Sequence, residues 1–179
     1  MSHPTRQALL EAGLALTATA SLPRITVDAV VHKAGVAKGT FYVHFTGRAA
    51  FLVALHAQFH ERLHDSILQA VVGLAPGARR LRKGTETYLD GCLHERAVKA
   101  LLLEARCEAP IAAEVQRRNA EFAVLAQEDF TALGWPDPQT SARLFVVLGA
   151  EAALIELETG YNEAVRLALW RFARIEGNE

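Results

Sequence analysis

Apolar residues recur along the chain at intervals of three and four. Leu9, Leu10, Leu14 and Leu16, set among alanines, predict a helix over residues 5–20, with Pro23 just beyond it. The short stretch "VDAVVHKA" (Val27 to Ala34) has Thr26 as a cap at one end and Gly35 as a stop at the other. A third short helix is expected from Ala37 to His44. Thr46 can cap the next one, in which Phe51, Leu52, Leu55, Phe59, Leu63 and Ile67 keep to one side as far as Val72. "GLAPG" ends that run. Helices are expected over 78–96, 97–107, 110–133, 138–159 and 162–175, the last three separated by "GWPDP" and "TGYN". No segment alternates with a period of two, so the expected fold is all-α, with about nine helices and no sheet.

The last two of these helices are apolar on more than one side. "SARLFVVLGAEAALIELETG" has Gly149, Ala150, Ala152 and Ala153 at its centre, and "NEAVRLALWRFARI" carries Leu169 and Trp170. A helix with two apolar faces must bury both. One face can meet the chain's own core. The other calls for a partner, most simply a second copy joined through a four-helix bundle, with Leu148, Gly149, Ala152, Ala153, Leu169 and Trp170 at the homodimer interface.

Composition adds a charge asymmetry. The 179 residues are half apolar and carry a net charge of −1, yet residues 1–60 hold five basic side chains (Arg6, Arg24, Lys33, Lys38, Arg48) against Glu11 and Asp28. A local charge of +3 beside −4 over the remainder points to an anionic partner for the N-terminal part. Cys92 and Cys107 are too few for a disulfide framework. No charged leader or long apolar run is evident, so a soluble cytoplasmic protein without a membrane partner is expected. The basic run "RRLRK" (Arg79 to Lys83) reads as a solvated face.

Candidate chemistry concentrates in "AGVAKGTFYVHF" (Ala34 to Phe45). Two short helices joined by a glycine turn, after a longer helix, form the helix-turn-helix layout. Ala34 lets the helices approach, and Gly35 takes a turn conformation that a Cβ would oppose. Val36 and Phe41 point inward, and Gly39 keeps the outer side slim. Lys38, Thr40, Tyr42 and His44 supply donors for phosphates and base edges.

The longer run "ITVDAVVHKAGVAKGTFYVHFTGRAAFL" (Ile25 to Leu52) resembles the signature of the tetracycline-repressor (TetR) family of transcriptional regulators. That resemblance implies a DNA-binding head over residues 1–46 and an all-helical ligand-binding and dimerisation body over 47–179. It implies a regulator, most simply a repressor, that binds an inverted-repeat DNA operator as a dimer and is released by a small-molecule effector. It implies no enzymatic activity and no cofactor. Carried over residue by residue, it assigns DNA contact to Thr26, Ala37, Lys38, Gly39, Thr40, Tyr42, His44 and Arg48. Val31, Ala37 and Ala49 depart from the pattern, where alanine, serine and an acid are usual. The effector would be enclosed by the helices between 47 and 133, with His64, Tyr88, Cys92, Cys107 and Phe122 as candidate lining.

One motif competes. "HERLH" (His60 to His64) fits H-E-x-x-H, which on a helix can hold zinc and present a glutamate base. A zinc-dependent hydrolase using His60, Glu61 and His64 is therefore the alternative reading, and a helical interaction module without DNA binding a third. The hydrolase needs a further metal ligand and usually an edge strand, and no strand is expected. His56, His60 and His64 fall at the border of the apolar stripe, where a half-exposed flank without metal is expected.

Overall fold

The computed structural model describes residues 4–17, 19–104 and 109–175. Among these there are nine α-helices and no strand. They are α1 (Pro4–Thr17), α2 (Val27–Ala34), α3 (Lys38–His44), α4 (Arg48–Ala70), α5 (Ala78–His94), α6 (Arg96–Glu104), α7 (Ala109–Ala132), α8 (Pro138–Thr159) and α9 (Glu163–Ala173), with a 3₁₀ turn at Leu22–Arg24. α1 ends at Thr17 rather than near residue 20. There the Thr17 hydroxyl donates to the Leu14 carbonyl, and the Thr19 and Ala20 amides both turn back to Leu16.

The chain divides into two compact units, Met1–His60 with Ala97–Val115, and Glu61–Arg96 with Gln116–Glu179. The division falls inside α4.

In the first unit, Leu9 and Leu10 of α1, Ile25, Val30 of α2 and Phe41 of α3 are buried together with Phe51, Leu52 and Leu55 of α4. Phe41, Phe45 and Phe51 form a ring cluster with centroids 5.1–5.5 Å apart. Gly13 explains how α1 reaches α4. A Cβ there would meet the Phe51 ring at 2.5 Å, so any side chain would push the two helices apart.

In the second unit, α8 lies against α5 and α9. Its corner with α9 is held by ions. Glu156 is fully buried and accepts from the Arg166 guanidinium through both oxygens, at 2.8 and 3.0 Å. Asp90 of α5 takes the same guanidinium at 2.8 Å, and Glu156 also accepts the Asn162 amide. Burial works to discharge Arg166, but the hydrogen bonds to Glu156 and Asp90 outweigh it and raise its pKa.

The small residues of α8 and the residues paired with them on α9 face the chain's own core. Gly149, Ala152, Ala153, Leu169 and Trp170, expected at an interface, are buried within the single chain, and Leu148 is half-buried. The large apolar side chains left outside are Leu144, Val147 and Ile155 on α8 and Leu167 and Phe172 on α9, with Leu144 and Phe172 about 60% exposed (62% and 61%). On these two helices the small residues are turned inward and several bulky ones outward.

Candidate nucleic-acid interface and internal cavity

The head is built by local signals that agree with one another. Thr26 caps α2 by accepting the Ala29 amide at 3.1 Å. Gly35 ends α2 in the left-handed region, at φ 68°, and the Val36 amide closes the turn on the Val31 carbonyl. Val31, bulkier than the alanine of the family pattern, is accommodated in the core. Ala37 precedes α3 and offers no side-chain cap, as its lack of a hydroxyl dictates.

Phe41 anchors α3 inward, and this fixes what the helix presents outward. Lys38, Gly39, Tyr42 and Val43 share the exposed side, with Tyr42 53% and Val43 78% exposed, while Thr40 and His44 are half-buried at its edges. A Cβ on Gly39 would meet nothing of the protein within 4 Å, so the space it leaves is on the outside. The Lys38 ammonium pairs with Asp28, and that hydrogen bond raises its pKa, so it is a cation at every physiological pH.

Arg48, expected at a phosphate, is bonded to its own chain. Its Nε donates to the Ile25 carbonyl at 2.9 Å and a terminal nitrogen to Leu22 at 2.7 Å. It ties the start of α4 to the turn that leads into α2. Val43 joins the exposed side of α3, although the expected contacts do not include it. The signal was present, since it sits at i+4 from Gly39 and next to Tyr42 on a helix whose anchor is Phe41.

The second unit forms a partly open cavity of about 220 Å³ among α4, α5, α7 and α8. Tyr88, Phe122 and Phe145 give it aromatic walls, with Ile67, Val71 and Leu125 between them. Gly149 also lines it, and a Cβ there would meet nothing within 4 Å. The polar end is Arg80, whose Nε donates to Asp129 at 2.6 Å and whose terminal nitrogen meets Glu128 at 2.9 Å. Asp129 also accepts the Gly77 amide ahead of α5. The hydrogen bonds to Asp129 and Glu128 raise the Arg80 pKa against the opposing effect of burial. Arg80 is therefore no part of a solvated basic face, and neighbouring Arg82 lies over the Trp170 ring.

Of the candidate lining residues, Tyr88 and Phe122 are on the cavity wall, their ring centroids 5.9 Å apart. His64 lies against Phe122 at 6.0 Å and is not on the wall. Cys92 is buried in the core away from it. Cys107 lies outside the described residues.

The histidine series does not form the expected flank. His56 and His60 are 2% and 7% exposed, with ring centroids 4.3 Å apart. Only His64 is half-exposed. A period-four register places them beside the apolar stripe, but it does not reveal that the same side of α4 is covered. Glu61 faces outward and accepts from Arg118 at 3.1 Å. Among the described residues, no group of three or more His, Cys, Asp or Glu side chains is arranged to hold a metal ion. No helix among them is long and apolar enough to cross a membrane.

Residues 9–55 match the family model described as bacterial regulatory proteins, tetR family. Solved structures share the fold over nearly the whole chain. A tetR-family transcriptional regulator from Rhodococcus sp. is similar at 20% identity and a TM-score of 0.79, covering 97% of this chain and 98% of its own. The regulatory protein TetR from Rhodobacter sphaeroides is similar at 22% identity and 0.69, covering 97% and 99%. The multidrug binding protein EbrR, complexed with imidazole, is similar at 19% identity and 0.76, covering 96% of each chain. Residues 9–55 thus match the N-terminal domain of the tetR family of bacterial regulatory proteins, and the chain as a whole shares the all-helical fold of these solved structures.

Proposed function

We propose that the protein is a ligand-responsive repressor that binds an inverted-repeat operator as a homodimer and leaves it when a small apolar molecule fills the body. The observation that carries the reading is the outward side of α3, where Lys38, Tyr42 and Val43 stand exposed around a glycine while Phe41 locks the helix from behind. A recognition helix places such residues in the major groove. Lys38 meets an acceptor edge, Val43 suits a thymine methyl group, and Tyr42, His44 and the Thr26 hydroxyl hold phosphates. Arg48 contributes by fixing the turn before α2.

A two-turn helix covers few base pairs, so specificity calls for two heads on one axis. The outward apolar residues of α8 and α9, led by Leu144, Val147 and Phe172, supply the surface for that axis. The effector is an apolar, aromatic-faced molecule, supported by the Tyr88, Phe122 and Phe145 walls and by the multidrug binding named for EbrR. It acts by favouring a packing of the body in which the paired heads no longer fit the operator.

Binding of the full chain to duplex DNA, followed by fluorescence anisotropy over a salt series, tests the reading. Lys38→Ala is expected to weaken binding by about 1–3 kcal/mol. Unchanged affinity when Lys38→Ala and Tyr42→Ala are combined would remove α3 from the interface.

A further inference from the structure

The first turn of α2 carries an acid where a DNA-facing surface has least use for one. Asp28 is one of two acidic residues among the first sixty. Both its oxygens lie against the Lys38 ammonium, at 2.8 and 3.0 Å, so the pair bridges the start of α2 to the start of α3. Both side chains are more than half exposed. An exposed pair of this kind contributes little to stability, so holding the fold does not account for it.

Its effect on Lys38 is more specific. A lysine ammonium is a point charge on a flexible stem, and beside DNA it is drawn to the nearest phosphate. Phosphate contacts position a protein but carry no sequence information. A carboxylate at hydrogen-bond distance cancels the charge that attracts phosphates and fixes the stem, leaving N–H donors in a defined direction. Lys38 is the first residue of α3, and the N-terminal residues of a recognition helix are those that reach base edges. In the major groove, guanine presents its O6 and N7 acceptors side by side.

We propose that Asp28 is a positioning residue for sequence readout, holding the Lys38 ammonium toward the acceptor edge of a guanine and away from the phosphate backbone. The inference rests on the DNA-binding reading of the head and adds a role that reading does not contain. Asp28 acts through Lys38 and needs no contact with DNA of its own.

The test compares full-length wild type, Asp28→Asn, Asp28→Glu, Lys38→Ala and the Asp28→Asn/Lys38→Ala double variant. Each is titrated on the duplex that the wild type selects from a random pool and on a scrambled duplex, across salt, with thermal melting as the control for folding. Asp28→Asn is expected to lower the selected-to-scrambled affinity ratio about five- to tenfold. Its binding to scrambled DNA is expected to gain about one unit of salt slope, as Lys38 moves to a phosphate. Asp28→Glu restores most of the ratio, and Asp28→Asn changes nothing further in the Lys38→Ala background. An unchanged ratio in Asp28→Asn overturns the inference. So does an equal gain on both duplexes that persists without Lys38, which would make Asp28 a simple repeller of phosphates. A large loss of melting temperature in Asp28→Asn assigns the pair to the fold and overturns it as well. A wild type that selects no sequence overturns the DNA-binding reading itself, and the positioning role falls with it.

Discussion

The head and the body solve opposite problems with their exposed residues. α3 turns a mixed face outward, with Lys38, Tyr42 and Val43 around Gly39, and it is short and rigidly backed by Phe41. α8 and α9 turn a run of large apolar side chains outward and keep their small residues within. The first surface suits a charged, grooved partner of fixed shape, and the second suits a copy of itself. The fixed partner constrains residue types position by position. A surface that meets a second copy needs only apolar bulk in register, which many sequences supply.

Removing the support of the head tests the contrast most severely. Phe41→Ala empties the centre of the Phe41–Phe45–Phe51 cluster and is expected to cost about 3–5 kcal/mol. Chemical denaturation followed by circular dichroism should show part of the helix lost early, with the fluorescence of Trp135 and Trp170, both in the second unit, changing later. DNA binding is expected to vanish in the early transition.

Charging the outer face of the body comes next. Leu144→Arg combined with Phe172→Arg is expected to leave folding intact, to give monomers in sedimentation, and to lower operator affinity about a hundredfold, or about 2.7 kcal/mol. Ala153→Arg, on the same helix as Leu144 but almost fully buried, is expected to unfold the second unit instead. If Ala153→Arg gave folded monomers and the outer pair did nothing, the assignment of the two faces would be reversed.

Gly149→Leu sharpens the internal side of the same helix. It places a side chain in the cavity without meeting protein atoms at its Cβ. It is expected to weaken binding of an apolar fluorescent dye about tenfold, or about 1.4 kcal/mol, while DNA affinity stays at the wild-type level.

The smallest effect is at the start of α8. Asp137 accepts the Thr140 amide, and that bond holds its carboxyl below the usual aspartate range. A depressed carboxylate adds stability above its unfolded pKa and loses it as pH falls through the folded one. Asp137→Ala should therefore melt slightly below wild type at pH 7, with the difference shrinking below about pH 4.

Most of the head was legible because its signals are local. The Thr26 cap, the Gly35 stop and the Phe41 anchor each act within a few residues, and the matching helices begin and end where those residues place them. The salt link from Lys38 to Asp28 spans ten residues and crosses a turn, and no periodicity encodes it. In the body the apolar pattern announced that α8 has two faces to bury. It could not say which face meets its own chain, because that depends on where α5 and α9 pack along α8. His56 and His60 went astray for the same reason. Their burial depends on what covers α4, and a helical register describes only α4 itself.

The most direct measurement is of the DNA that the full chain selects from a random pool at low salt. The expected result is an enriched inverted repeat whose half-sites are centred about one helical turn apart, about 34–36 Å, with two chains bound per duplex. No enriched sequence, or a single asymmetric site occupied by one chain, would contradict it.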